Sequence, residues 1–212
     1  MDIKDMHNDR QVIADFTNNV LRLDETGFPK QFINPFSLEY GQKFFNESDY
    51  KKAAFINGDI AGIAFLASQN IVDYQTKALL LDNYKQNILN LNNENEVKEY
   101  AKQIDVIYAI DKLVKQPDVI ATVKGKPELK LLSVNPKFQG NEVGKKLISA
   151  ILDEINQHEY WLVTDTNCNW RYYEAKKYQL ISEAVVTNEH NVPYKSIDGT
   201  IYKVMIYLWN KK

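Results

Sequence analysis

Apolar positions along the chain change their period several times, and each change predicts an element. Residues 8–22 carry Val12, Ile13, Phe16, Val20 and Leu21 at helical spacing behind Asn8, which predicts a helix capped by that asparagine. Gly27 and Pro29 break the pattern, and residues 36–46, with Phe36, Leu38, Tyr40, Phe44 and Phe45, predict a second helix. Two apolar runs, 52–56 and 60–67, flank Asn57-Gly58-Asp59, and Asn-Gly between such runs is a hairpin signal. Residues 90–96 are polar and read as a loop. Val97, Tyr100, Ala101, Ile104, Ile107, Tyr108 and Val114 then mark an amphipathic helix that stops before Pro117.

The rest of the chain is organised around residues 128–147. Leu129, Leu131, Leu132 and Val134 form a run with little polar interruption, as in a strand buried on both faces. Pro136 cannot extend a ladder, so the strand ends before it. After Gln139-Gly140-Asn141 a helix is predicted, with Val143, Leu147, Ile148, Ile151, Leu152 and Ile155 on one side. Asn141 is its expected N-cap, and Glu142 its favourable first-turn acid. Such a helix start offers unpaired N–H groups and the positive end of a dipole, which suits phosphate. Residues 160–164 read as another buried strand and 169–178 as a short helix. Residues 179–187 and 200–209 form a closing antiparallel pair carrying Val185, Val186, Ile201, Val204, Ile206 and Leu208. The intervening loop, 188–199, holds His190, Pro193, Tyr194 and Lys195. This order predicts an α/β fold, a mixed sheet with helices on both faces.

Two segments carry a family resemblance. V-N-P-K-F-Q-G-N-E-V-G at 134–144 resembles the acetyl-CoA signature of the GNAT N-acetyltransferases, a V-x-P strand end leading to Q/R-x-x-G-x-G/A. Gln139 and Gly144 match, while Glu142 stands where the family usually has Gly. Asn169 to Tyr178 resembles the family's N-x-x-x-[FY]-Y-E-K-x-G-F, with Asn169, Tyr173, Glu174 and Tyr178 in register and Lys177 in place of Gly. Together the segments cover 128–182 in the family's order and spacing. The register is also similar to the puromycin N-acetyltransferase-like branch.

The resemblance implies the GNAT acyl-CoA N-acyltransferase fold: a mostly antiparallel mixed sheet in one domain, 1–212, with an extra helical segment at about 70–116. It implies transfer of the acetyl group of acetyl-CoA, as cosubstrate, to a primary amine. The main chain at Leu132, Ser133 and Val134 would hold the pantetheine arm and the oxyanion. The loop Gln139, Gly140, Asn141, Glu142, Val143, Gly144 and Lys145 would hold the pyrophosphate. Asn169 would contact the arm or cap its helix, and Tyr173 would protonate the departing thiolate. Glu128 is the candidate base, with a water chain or a solvent-facing strand-edge carboxylate as the other readings. Aromatic residues of 36–46 line an acceptor pocket or pack the core, and loop 188–199 overhangs the acceptor or is an ordinary exposed turn. A catalytically weak acyl-CoA-binding sensor is the alternative that Glu142 favours, and a partner-binding protein is a third.

Composition narrows the remaining classes. The 212 residues are 44% hydrophobic and 25% charged with a net charge of −2, which fits one soluble domain with a sizeable core. That balance gives no electrostatic case for nucleic acid. One cysteine, Cys168, allows no internal disulfide and suits a reducing cytosol. His7, His158 and His190 have no metal-ligand spacing, so no metal is expected. No apolar run reaches the ~20 residues of a membrane span, and the first ten residues lack the core of a signal peptide. The expectation is a cytoplasmic monomer or homodimer with a small-molecule or peptide amine as its acceptor. Amino acid, polyamine, drug, peptide terminus and protein lysine all stay open.

Overall fold

A computed structural model describes residues 1–68, 86–89, 91 and 93–210. Its strands are β1 (Asp2–Asp5), β2 (Tyr50–Ile56), β3 (Asp59–Ala67), β4 (Glu128–Val134), β5 (Glu159–Asp165), β6 (Gln179–Val185) and β7 (Lys203–Asn210). Its longer helices are α1 (Arg10–Leu21), α2 (Lys30–Glu47), α3 (Glu94–Val114), α4 (Pro117–Val123), α5 (Val143–Glu154) and α6 (Trp170–Ala175). The seven strands make one sheet in the order β1-β2-β3-β4-β5-β7-β6. Among the described residues only the β4–β5 neighbours run parallel.

Side chains alternate across the sheet, and helices cover both faces. On one face Ile13 and Phe16 of α1 pack with Ile63, Phe65 and Leu131. Farther along, Val106 and Leu113 of α3 and Val119 of α4 pack on Trp161, Val204 and Ile206. Phe36, Tyr100 and Ile104 join α2 to α3. The opposite face takes α5, whose Leu147 and Ile151 meet Ala64, Leu66 and Leu162.

Local chemistry explains where the boundaries depart from the sequence reading. The cap of α1 is Asp9, one residue past Asn8, and its carboxylate accepts from the Val12 amide at 3.1 Å. Helix α2 starts at Lys30, well before position 36, and Phe32 is drawn against the Tyr100 ring at 5.5 Å. The polar stretch 90–96 is not all loop: Asn93 caps α3, accepting from Asn95 at 2.9 Å, and acidic Glu94 and Glu96 suit a first turn. Pro117 ends α3 and also opens α4, because a missing N–H costs nothing at a helix start. Of the segment expected at 70–116, residues 70–85, 90 and 92 lie outside the described residues. Asn57 and Gly58, with φ of 54° and 91°, make the predicted hairpin turn. Among the described residues no helix is long and apolar enough to cross a membrane.

Candidate active site

The sheet is split at its centre. β4 and β5 pair only at Glu128–Trp161 and Leu129–Leu162, although β4 continues to Val134 and β5 to Asp165. The cause sits in β4: its pairing with β3 jumps from Leu66–Leu129 to Phe65–Leu131, so Lys130 is an extra residue. A bulge bends its strand and increases the local twist. β4 therefore diverges from β5, and a cavity of about 1140 Å³ opens in the gap. Its walls include β4, β5, α1, α2, α3, α6 and the loop leading to α5.

That loop leaves the end of β4 through a tight turn in which Asn135 accepts from the Lys137 amide at 3.0 Å. Asn141 does not cap α5 as the sequence predicts. Its side-chain amide reaches back to the Phe138 carbonyl at 3.2 Å. The N-cap is Glu142, in the left-handed region at φ 55°, ψ 20°, with no side-chain capping bond. Among the described residues, no side chain caps the first-turn amides of Val143, Gly144 and Lys145. The Glu142 carboxylate lies 3.3 Å from the Lys145 ammonium, both largely exposed. A Cβ added at Gly144 would meet Leu132 and Val134 at an ordinary 3.5 Å. Of the predicted loop set, Gln139, Gly140, Glu142, Val143, Gly144 and Lys145 line the cavity and Asn141 does not.

The other predicted residues converge on the same space. Leu132, Ser133 and Val134 form its β4 edge, and Glu128, Asn169 and Tyr173 also line it. Asn169 occupies the N-cap position of α6 without a side-chain capping bond. Tyr173 packs between Tyr178 and Tyr207, with ring centroids 5.1 Å and 5.7 Å away. Burial holds its phenol above the ordinary range, and Cys168, Tyr178 and Tyr172 add to the effect, so it stays protonated. Tyr172 shares the wall, with its ring 5.5 Å from that of Tyr173. Glu128 is no solvent-facing edge residue: it is 9% exposed and 2.6 Å from the Lys130 ammonium. It is covered because β4 is a central strand under α2.

Several residues of the cavity were not singled out by the sequence motifs. Glu47 of α2 lies 3.5 Å from Lys130 and is ion-paired with Lys43. The i,i+4 spacing of Lys43 and Glu47 was the available signal. Tyr40 and Phe44 of α2 also line the cavity, whereas Phe36 is core and Phe45 packs on Phe65 at 5.5 Å. Burial raises the Tyr40 phenol, and Asp165, Cys168, Glu47 and Glu128 add to the shift. Asp165, at the end of β5, accepts from the amides of Asn167 at 2.8 Å and Cys168 at 3.2 Å. Its burial pushes the carboxyl up, against those hydrogen bonds.

Loop 188–199 reaches the cavity through Ile197 and Asp198. Side chains as well as main chain tie it down. Ile197 donates its amide to Asn167 at 2.8 Å, Asp198 pairs with Arg171 at 3.1 Å, and the Tyr194 hydroxyl donates to Asp105 at 2.7 Å. Tyr194, His190 and Lys195 lie off the cavity wall.

A split mixed sheet whose gap opens onto an uncapped helix start is the arrangement expected of the GNAT fold. The chain has the GNAT fold. Among solved structures it is similar to a polyamine N-acetyltransferase from Drosophila melanogaster, with a TM-score of 0.56 and 13% identity over 99% of this chain and 100% of that one. It is also similar to arylalkylamine N-acetyltransferase 2 from Aedes aegypti, with a TM-score of 0.54 and 17% identity over 100% and 99% of the two chains. No protein-family model and no curated protein matches the sequence.

Proposed function

We propose that this protein is an acetyl-CoA-dependent N-acetyltransferase acting on a primary amine. The observation that carries the reading is the gap between β4 and β5, which leads from buried main chain to the uncapped start of α5. Such a helix start suits a pyrophosphate, with the amides of Val143, Gly144 and Lys145 available from the helix and those of Gln139 and Gly140 from the loop. A carboxylate at position 142 fits this assignment because its charge is offset by Lys145 and exposed to water. The unpaired edge of β4 from Leu131 to Val134 suits the amide-bearing pantetheine arm, which can bond to a strand as another strand would. An N–H of Leu132, Ser133 or Val134 is the proposed oxyanion donor. Tyr173 is the proposed acid for the leaving thiolate, since its raised phenol keeps its proton. The similar structures are by name acetyltransferases of a polyamine and of arylalkylamines, in keeping with an amine acceptor.

The test is calorimetric titration with acetyl-CoA, followed by a panel of primary amines scored by release of free thiol. Binding with thiol release for at least one amine supports the reading. Absence of acetyl-CoA binding overturns it. Binding with no release for any amine leaves the sensor that Glu142 favours.

A further inference from the structure

Asp165 takes part in no step so far, yet its surroundings are unusual. It is the last residue of β5 and is 9% exposed in the cavity wall. Strand alternation puts it with Trp161, toward the α1–α3 face of the sheet, the side opposite α5. The last β4–β5 pair is Leu129–Leu162; allowing for the extra residue Lys130 in β4, Asp165, three residues farther along β5, faces the stretch from Leu132 to Ser133 across the gap. Leu132 belongs to the main chain proposed to hold the acetyl carbonyl.

Asp165 differs from the other carboxyls near Tyr40. Glu128 has Lys130, and Glu47 has Lys43 and Lys130. Among the described residues Asp165 has no cationic partner. The groups facing it are neutral: Tyr40 from α2, and two side chains that hydrogen-bond the carboxyl, Cys168 from its own turn and Tyr202 from the approach to β7. Arg22, the nearby guanidinium at the end of α1, is engaged by Glu25 and by the Asn167 carbonyl at 3.2 Å. Both main-chain N–H donors reach Oδ1 of Asp165, and Oδ2 takes no part in the turn. A turn of this kind requires an acceptor oxygen but no charge, and a buried carboxylate without a cation is unfavourable.

We propose that Asp165 is the residue that receives the ammonium group of the acceptor and takes its proton. The proposal rests on the acetyltransferase reading above. An ammonium entering beside α2 supplies the missing cation. Its N–H bond breaks as an O–H bond forms on Oδ2. The free amine then forms a C–N bond to the acetyl carbon while the C–S bond breaks. Tyr173 gives its proton to the sulfur and regains one from the new amide nitrogen. Asp165 returns its proton to water, so each turnover releases one. Burial raises the carboxyl above the usual carboxylate range, which makes it a stronger base toward an ammonium than an exposed carboxylate.

The test compares wild type with Asp165→Asn, whose Oδ1 still accepts the two turn amides. The probes are acetyl-CoA by calorimetry and agmatine, phenethylamine, glycine and lysine as acceptors. The expected result is unchanged acetyl-CoA affinity, turnover lower by roughly 10²-fold or more, and loss of the acidic limb of the pH–rate profile. Unchanged turnover with an unchanged profile overturns the proposal and leaves Asp165 as a turn residue. Should the Asn variant fail to fold, Tyr202→Phe removes a neighbour that favours the charged carboxylate. The acidic limb should then move to higher pH, and a stationary limb overturns the proposal. If wild type does not bind acetyl-CoA, the acetyltransferase reading fails by itself. Asp165 is then tested by binding of the same four amines alone: binding that Asp165→Asn abolishes supports its role, and equal or absent binding overturns it.

Discussion

Glu142 holds a backbone conformation that an L side chain disfavours, at φ 55° on the threshold of α5. As a first-turn residue, the position suggested by sequence, it would resist replacement by Gly through helix propensity. As a left-handed N-cap it should welcome that replacement. Glu142→Gly is expected to stabilise the fold by about 1 kcal/mol in denaturant unfolding, with acetyl-CoA affinity level or improved. A loss of stability would contradict the left-handed assignment. Tyr173→Phe isolates a different property, because the ring and its packing on Tyr178 and Tyr207 remain. Turnover should fall roughly 10²-fold or more with little change in acetyl-CoA affinity, the mark of an interaction made in the transition state. Full turnover in that variant would remove Tyr173 from the chemistry. Tyr172 shares the cavity and is a poor control; Tyr108, 42% exposed on α3, is a suitable one.

Helices α1 and α2 wall one side of the cleft, and they approach each other at Gly41. A Cβ there would collide with the Thr17 hydroxyl and come within 2.7 Å of an Ile13 methyl group, both on α1. Gly41→Ala should cost about 1–3 kcal/mol by overpacking, read as a lower unfolding midpoint, and an unchanged midpoint would mean the pair of helices slides apart freely. The sequence announced neither this contact nor its partners, since Gly41 lies within the predicted second helix with no local signal of what it faces. What periodicity could reveal, it revealed: α1, α3 and α5, the Asn57-Gly58 hairpin and the end of β4 before Pro136 follow from patterns within each segment. β1 was missed because Asp2–Asp5 offers one apolar residue, Ile3, and owes its strand form to pairing with β2. The motif residues found most of the loop and Tyr173 through their order along the chain. Lys43, Glu47 and Asp165 were invisible to that method, because only the bulge at Lys130 and the packing of α2 bring them to the same cavity.

Over the whole molecule, burial of charge links stability to pH. Asp165 is raised by desolvation, so the native state holds its proton more tightly than the unfolded chain does. Stability contributed by that proton is fully present below the unfolded value of about 4 and is lost as pH rises through the raised native pKa. Wild type should therefore lose more Tm than Asp165→Asn as pH rises from about 4 to 8; parallel losses in scanning calorimetry would mean the carboxyl is not destabilised by burial. The split in the sheet has a consequence of another kind. As a mechanical object the sheet is two plates, β1–β4 and β5–β7, sewn together by the stitches at Glu128–Trp161 and Leu129–Leu162. Tension applied across the sheet falls on that short seam, and the plates should part there before any antiparallel ladder shears. A molecule lying in the gap and bonded to both edges acts as a splice, so occupancy of the cleft doubles as reinforcement of the sheet.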